Sequence, residues 1–361
     1  MSNDLERYLI QKASLEGTPI KATLELTPLC NMNCRMCYIH HSQSEATESA
    51  GVKPGEYWEN LIPEMKELGI LFVALIGGEP FLYPGLQSLY EKLYKNGFYI
   101  NITTNATLLS EKIPEWLISI PPRYMTVSLY GASDKTYEKV TGNPRGFTQT
   151  IKGLEGLLQA KIPVKLNYVI VPENKNDLDA VFKIKEKYHL PILATSYCFP
   201  QTRRKKKSAY VRLSAGECAA EELHIAKLNK PDKYQKWIYY LAERNYKQDT
   251  VKHTERMYCH AGRSTFWISW KGDMMPCGMI DNISIKTCNG RMKETWEELK
   301  RQTAGIRSSY KCAKCENREI CQVCPAIMEA ETGSMESSPN YLCEITDEMI
   351  RLGIEENKKF S

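Results

Sequence analysis

The stretch LCNMNCRMCY, residues 29–38, places Cys30, Cys34 and Cys37 within eight positions, with the spacing C-x3-C-x2-C. Structural metal sites made of cysteine usually have four ligands, so this triad is one ligand short. Three thiolates on a tight loop can hold three irons of a cubane 4Fe–4S cluster, and the fourth iron then has no protein ligand. An open corner of this kind is where metal sites do chemistry.

The triad follows the first of six β-rich runs that alternate with helical patterns. The candidate strands are Ala22–Thr27, Leu71–Ile76, Phe98–Thr103, Tyr124–Leu129, Val164–Ile170 and Ile192–Ser196. Apolar stripes between them predict helices, one from Tyr57 to Leu68 and one from Phe147 to Leu158. Six strand–helix units predict a parallel sheet with right-handed crossovers. Since a closed barrel needs eight strands, we expect an α/β fold with an open, partial (β/α)6 TIM-like barrel.

Each informative motif of the first half follows a candidate strand. After the triad come GGEP at Gly77–Pro80, TTNAT at Thr103–Thr107 and SLYG at Ser128–Gly131. Ligand sites of parallel sheets form at the C-terminal ends of the strands. The sequence therefore predicts one active site at this edge.

The triad directly after a strand, followed by a Gly-Gly-Glu-Pro turn after the next strand, resembles the radical S-adenosylmethionine (SAM) superfamily over about residues 21–200. The resemblance implies that the amino and carboxylate groups of SAM occupy the open iron. It also implies that Gly77, Gly78 and Glu79 present backbone carbonyls and a carboxylate to the SAM ammonium.

Three further SAM contacts are expected from the same resemblance. By position, Asn105 and Ser128 resemble residues that contact the SAM ribose or carboxylate. The family often has an aromatic residue just before the third cysteine. This chain has Met36 there and Tyr38 just after, so Tyr38 is the candidate for an altered adenine contact.

A second cysteine field fills the C-terminal part and resembles the SPASM extension of radical SAM enzymes, which carries two auxiliary 4Fe–4S clusters. The resemblance implies an outer set of ligands and an inner set. The outer set is Cys312, Cys315, Cys321 and Cys343, and the inner set is Cys259, Cys277 and Cys324. Cys288, or substrate at an open iron, is the candidate for the missing inner ligand. Cys321 and Cys324 have two residues between them where the family usually has three.

Other metal assignments stay open at this point. The C-terminal field could hold a single auxiliary cluster, or the segment from Cys312 to Cys324 could form a zinc ribbon. The triad could bind zinc with His40 or His41.

The expected domains are an N-terminal extension over 1–20, a radical SAM core over 21–213, a helical bridge over 214–255 and the SPASM domain over 256–361. In the last of these, Trp267–Trp270 and Met274–Cys277 read as a hairpin with a Gly-Asp turn that brings Cys277 beside Cys259.

The resemblance implies an enzyme that cleaves SAM reductively and takes a hydrogen atom from a peptide, as in crosslinking or epimerisation. Peptide epimerases use a cysteine to return hydrogen, and Cys198, just past the sixth strand, is the candidate catalytic residue. A sulfatase maturase or a small-molecule dehydrogenase is the alternative. The maturase reading is weakened because maturases carry an Asp base where this chain has Gly278. A zinc-binding interaction protein is the non-enzymatic alternative.

Bulk properties limit the partners. The net charge of +5 is too diffuse to indicate nucleic acid binding. No apolar run is long enough for a membrane span, and the polar start is no signal peptide, so we expect the cytoplasm. The family implies a low-potential electron donor such as flavodoxin or ferredoxin. The basic run Arg203–Lys207 reads as a solvated loop or as a dock for an acidic leader peptide.

Overall fold

The computed structural model describes residues 3–48, 51–203, 211–243, 259–280, 282–321 and 323–360. The strands are β1 Lys21–Glu25, β2 Phe72–Ile76, β3 Tyr99–Thr104, β4 Tyr124–Leu129, β5 Val164–Val169, β6 Ile192–Thr195, β7 Thr265–Ile268, β8 Asp273–Met275 and β9 Ile285–Lys286. The first six confirm the predicted strands to within two residues at each end.

These strands form a single sheet in the order β6-β5-β4-β3-β2-β1-β7-β8-β9. Strands β1 to β6 are parallel, which confirms the predicted open, partial barrel. Strand β7 joins β1 in parallel, with Lys21 opposite Thr265 and Leu24 opposite Ile268. Strands β8 and β9 then continue antiparallel, and β7 with β8 is the predicted hairpin.

The helices before the C-terminal region are α1 Asn3–Glu16, α2 Gln43–Glu48, α3 Gly55–Asn60, α4 Ile62–Glu67, α5 Leu86–Lys95, α6 Glu115–Ser119, α7 Asp134–Thr141, α8 Gly146–Gln159 and α9 Leu178–Lys187. They are followed by α10 Ala215–Asn229, α11 Pro231–Glu243, α12 Met292–Ala304, α13 Tyr310–Ala313, α14 Pro325–Thr332 and α15 Asn340–Asn357.

The predicted helix from Phe147 to Leu158 is α8, but the one from Tyr57 to Leu68 is divided into α3 and α4. The break lies at Leu61, and Pro63 stands in the first turn of α4. Proline has no N–H for the carbonyl of Glu59, so a continuous helix would lose a hydrogen bond there.

Strands β4 and β5 alternate between buried and half-buried side chains. Their buried residues, such as Val127 and Leu166, belong to the main apolar core. The polar residues between them, such as Ser128 and Asn167, lie on the opposite face, since successive side chains of a strand point to opposite sides. The barrel therefore has a polar interior that opens at the C-terminal strand ends.

The C-terminal region is attached to the barrel in two ways. Helices α10 and α11 pack against α15, and α12 packs against β8, β9 and α4. The sheet itself runs across the predicted boundary at residue 256, because β7 pairs with β1. The division into domains remains a prediction. No helix in the described part of the chain is long and apolar enough to cross a bilayer.

Candidate active site

The cysteine loop leaves β1 and folds against the end of α7. The Asn33 N–H donates to the Thr141 carbonyl at 2.8 Å, and the Arg35 N–H donates to the Val140 carbonyl at 3.0 Å. Both bonds are made by backbone atoms, so they hold the loop in place without involving the thiols.

The triad thiols are close together and largely shielded from water. The pKa of Cys30 is raised to about 12, mainly by burial, with the neighbouring Glu79 and Cys37 contributing to the rise. Burial also raises the pKa of Cys34, with Cys37 and Cys30 as further causes. Cysteine binds metal as the thiolate, so a cationic group bound here would favour the ligand form.

The thiols of the triad suit an iron–sulfur cluster better than a single metal ion. In the described residues, no three Cys, His, Asp or Glu side chains are grouped as ligands of one ion. An iron–sulfur cluster instead takes one cysteine for each iron. Three thiols on one loop fit that requirement. His41 places Nε2 3.1 Å from the Arg203 carbonyl oxygen and packs edge-on against Trp270.

The GGEP turn lies directly against the chain that leads into the cysteine loop. The Gly78 N–H donates to the Thr27 carbonyl at 2.6 Å, and the Glu79 N–H donates to the Leu29 carbonyl at 2.8 Å. A Cβ on Gly78 would lie 2.3 Å from the Leu29 oxygen, and one on Gly77 would lie 2.6 Å from the Thr27 oxygen. Only glycine allows this approach, which sets the turn beside the triad.

Glu79 is 0% exposed and accepts three hydrogen bonds. Its Oε1 accepts from Thr104 Oγ1 at 2.8 Å and from the Phe81 N–H at 3.2 Å, and its Oε2 accepts from the Asn105 N–H at 2.9 Å. Burial outweighs these donors and raises the pKa of Glu79 to about 7. A cation such as an ammonium beside this carboxyl would favour its ionised form.

Asn105 lies behind Cys30 and directs its side chain to the cysteine loop. Its Nδ2 donates to Asn31 Oδ1 at 2.9 Å and to Cys30 Sγ at 3.7 Å. Its Oδ1 accepts from the Thr107 N–H and hydroxyl, at 2.9 and 2.6 Å. The left-handed backbone at Ala106, with φ of 60°, turns the chain at this point. The predicted contact of Asn105 with SAM stays a prediction.

Ser128 is half-buried at the end of β4, and Tyr130 lies just beyond it. Burial raises the pKa of Tyr130, and the thiols of Cys34 and Cys30 are further causes. The Tyr130 hydroxyl therefore lies beside the triad, next to the C-terminal end of β4 where Ser128 lies.

Cys198 lies near the same strand edge as a buried thiol. It is 3% exposed and packs in an apolar cluster that includes Val171, Met36 and Tyr130. Burial raises its pKa to about 12. The structure thus places Cys198 against the cysteine loop, while its catalytic role is untested.

Sequence reasoning missed a buried ion pair beside Tyr38. Glu25 is 0% exposed, and the Arg203 side chain is 7% exposed. Arg203 binds the carboxylate with both Nη atoms, at 3.0 and 2.6 Å, and Trp267 Nε1 donates to Glu25 Oε2 at 3.2 Å. The expectation of a solvated loop is wrong for Arg203, and residues 204–207 lie outside the described residues. The available signal was one acidic residue, Glu25, between Leu24 and Leu26 in the predicted first strand.

The inner set surrounds a cavity of about 580 Å³. Cys259, Cys277 and Cys324 all line it, together with residues of α1 and α12. The pKa of Cys277 is raised to about 11, mainly by burial, and Cys324 and Cys259 are close enough to contribute to the rise. No other cysteine of the described chain is among the lining residues, and Cys288 is exposed to solvent.

The outer set gathers four thiols from α13, α15 and the turn between α13 and α14. Burial raises the pKa of Cys321 to about 11, and Cys343, Cys312 and Cys315 are all close enough to add to the rise. Cys312 Sγ also lies 3.2 Å from Ser338 Oγ. All thirteen cysteines of the chain are described, and every one is free.

Comparison with known families agrees with the first half of this site. Residues 24–184 match the Radical SAM superfamily. This segment runs from β1 into α9, so it contains the triad, the GGEP turn and Asn105. The chain therefore contains a radical SAM domain, a type of domain that implies a 4Fe–4S cluster and SAM.

Relatives of known identity cover most of the chain. It is 23% identical over 352 residues to the AdoMet-dependent heme synthase of Methanosarcina barkeri, over 90% of this chain and 97% of that protein. It is 23% identical over 339 residues to the mycofactocin maturase MftC of Mycobacterium ulcerans, over 89% of this chain and 87% of that protein. Streptococcus suis SuiB bound to precursor peptide SuiA has a TM-score of 0.66 at 17% identity, covering 93% of this chain and 78% of that one, which supports the fold.

Proposed function

We propose that the protein is a radical SAM enzyme that takes a hydrogen atom from a peptide, as in crosslinking or epimerisation of a ribosomally made peptide. The observation that carries this proposal is the meeting of the triad, the GGEP turn and Asn105 at one strand edge of a radical SAM domain. When bound, the cluster supplies the electron that splits SAM into methionine and a 5′-deoxyadenosyl radical.

The triad residues Cys30, Cys34 and Cys37 would hold this cluster. Glu79 would accept the SAM ammonium, since its buried carboxyl has a pKa near 7 and a cation beside it favours the ionised form. Gly77 and Gly78 would present their carbonyls to the same group.

Three residues would complete the SAM site. Ser128, half-buried at the end of β4, would donate to the ribose or carboxylate of SAM. Asn105 would act on the same groups, or through Cys30, to which its amide already donates at 3.7 Å. Tyr38 would form a wall near the adenine, since it directly follows Cys37 and its half-buried ring is held 5.3 Å from the Arg203 guanidinium.

The inner and outer sets would hold two auxiliary clusters. Four thiols of the outer set complete one cluster, and three thiols in the cavity leave the inner one with an open corner. Such clusters supply a place for the electron left on an oxidised substrate. In the sheet, β8 runs antiparallel to β7 and leads into Cys277, so the inner set lies toward the N-terminal ends of β1 and β7.

A peptide substrate is supported by the relatives. Mycofactocin maturase MftC matches over most of its own length, and the SuiB structure holds a precursor peptide. For epimerisation, Cys198 would return the hydrogen atom from its place at the strand edge. We further propose a low-potential flavodoxin or ferredoxin as donor and the cytoplasm as compartment, where free thiols persist.

The test uses the anaerobically reconstituted chain with SAM, a chemical reductant and peptides encoded next to its gene. We expect 5′-deoxyadenosine together with a peptide whose mass has fallen by two hydrogens, or whose α-hydrogen has exchanged with solvent deuterium. A reconstituted protein that binds equimolar zinc, stays colourless and makes no 5′-deoxyadenosine would overturn the proposal.

A tetrapyrrole substrate is the second candidate, because the heme synthase of Methanosarcina barkeri matches over 97% of its length. The same assay with a heme precursor in place of the peptide separates the two. Formation of 5′-deoxyadenosine that rises only with the precursor would favour this candidate over the peptide.

A further inference from the structure

A polar unit built around a buried ion pair lies between the triad and the inner set. It consists of Glu25, Arg203, Trp267 and Tyr38, and we call it the Glu25 unit. Arg203 binds both carboxylate oxygens of Glu25, and the Trp267 indole donates to one of them at 3.2 Å. The Arg203 guanidinium also lies over the Tyr38 ring at 5.3 Å.

The unit reaches each cysteine set through a neighbouring residue. On one side, Tyr38 directly follows Cys37, and the Arg203 N–H donates to the Tyr38 carbonyl at 3.1 Å. On the other side, Gly278 directly follows Cys277 and packs on the indole, since a Cβ there would lie 2.7 Å from the Trp267 ring. Burial and close packing therefore place two formal charges between the two sets.

Stability alone gives little reason for this pair. Removing two charges from water costs about as much as their attraction returns, so a buried ion pair is weak evidence for stability. An apolar pair of similar size would hold β1, β7 and residue 203 together as well. What the ion pair adds is two weakly screened charges in a region of low dielectric constant.

Charge near an iron–sulfur cluster changes its reduction potential, because reduction adds a negative charge to the cluster. Arg203 is linked to the inner set through Glu25 and the Trp267 indole, on which Gly278 packs directly after Cys277. The electrostatic effects of the Glu25 and Arg203 charges nearly cancel at long range. They do not cancel at the adjoining cysteines, because the two charges lie on different atoms a few ångströms apart.

We propose that Glu25 and Arg203 are positioning residues that set the reduction potentials of the clusters on either side of them. This inference rests on the proposed function, which supplies the clusters. Trp267 holds the carboxylate by its hydrogen bond, and Tyr38 and Gly278 connect the unit to the cysteines.

The test is a redox titration followed by electron paramagnetic resonance on the wild type, Glu25→Gln, Arg203→Gln and the double variant. Glu25→Gln leaves the positive charge unbalanced, so the reduction potentials of the triad and inner clusters should both rise. Arg203→Gln leaves the carboxylate unbalanced, so both potentials should fall. The double variant should lie near the wild type, and the outer cluster should stay unchanged in all four proteins.

The outcomes separate the two proposals. A wild type that assembles no clusters would overturn the proposed function and this inference with it. Clusters that form normally while both single variants shift alike, or not at all, would overturn only the inference. If the charge variants do not fold, Trp267→Phe decides, since losing one donor to the carboxylate should lower the inner potential slightly without changing any charge. An unchanged potential in that variant, with normal iron content and thermal unfolding, would also overturn it.

Discussion

The two cysteine regions of the molecule are built in opposite ways. The triad lies within one loop. Backbone hydrogen bonds hold this loop against α7, and the two glycines of the GGEP turn let that turn pack closely against the residues leading into the loop. The inner and outer sets are collected from residues 259 to 343, out of separate helices, turns and a hairpin. The triad therefore depends on local geometry, whereas the C-terminal sets depend on how distant segments fold together.

This difference implies different responses to metal. A loop fixed by a parallel sheet keeps its shape with or without metal. A region whose ligands come from separate segments gains stability from the groups that link them, since metal binding to a site that is absent in the unfolded chain is also folding free energy.

The largest effect is expected when the triad loses a thiol. Cys34→Ala should abolish formation of 5′-deoxyadenosine from SAM, because a cluster held by two cysteines has lost a ligand. Losing a residue that only supports a ligand costs about 10- to 100-fold, and losing the ligand should cost more. The product is measured by chromatography, and thermal unfolding should stay close to the wild type. Turnover within a few-fold of the wild type would contradict the assignment.

Cys321→Ala should loosen the C-terminal region and leave the barrel unchanged. It removes one of four thiols in the outer set, so we expect one cluster fewer by iron analysis and faster proteolysis within residues 309–343. Hydrogen exchange in the barrel should not change. A variant with full iron content, or with hydrogen exchange that is equally faster in the barrel and in the C-terminal region, would contradict this prediction.

Glu79 should give the triad region a distinctive pH dependence. Its folded pKa of about 7 lies above the ordinary value of 4.5, so protonation favours the folded state. The stability it contributes is fully present below pH 4.5 and is lost as pH rises through about 7, a change of about 3 kcal/mol. Thermal unfolding of metal-free protein between pH 4 and 8 should show this decline, and Glu79→Gln should remove it. An equal decline in both proteins would contradict the prediction.

Gly78→Ala should disturb the contact between the GGEP turn and the cysteine loop. The added methyl group would meet the Leu29 carbonyl at 2.3 Å, and overpacking of this kind costs about 1–3 kcal/mol. We expect a lower unfolding temperature and weaker cluster binding at the triad. Gly305→Ala is the matched control, because nothing lies within 4 Å of a Cβ there. Equal effects from the two substitutions would argue against a tight contact.

The smallest effect is expected for Cys288. This thiol is exposed and does not line the cavity of the inner set. Cys288→Ser should therefore leave iron content unchanged and alter stability by no more than about 0.5 kcal/mol. A loss of iron would instead make Cys288 the missing inner ligand.

The barrel could be predicted from the sequence because its signals are local. Strand β4 was located to the residue, since its burial alternates along a run bounded by turn residues. The triad and the GGEP turn needed only their spacing and their places after strands. The break at Pro63 was also readable, because proline inside a helical pattern is a local signal.

The rest depended on long-range contacts. The pairing of β7 with β1 joins residues 265 and 21, and no pattern within either segment indicates the other. The Glu25 unit could not be seen for the same reason, since Arg203 reads as part of a charged run until its partner is known. The hydrogen-bond partners of Asn105 likewise depend on the direction of its side chain, which the spacing of residues in the sequence does not determine.

The parallel pairing of β7 with β1 has a mechanical consequence. Four residues of β7 are tied to β1 along its length, so the hairpin cannot swing away from the barrel like a hinged cover without rupturing main-chain hydrogen bonds. The separation between the triad and Cys277 is thereby held nearly constant through turnover. The rate of electron tunnelling falls steeply with distance. In the proposed enzyme, a rigid span of this kind would therefore keep the rate of electron transfer between the triad and the inner set independent of how far the surrounding loops open.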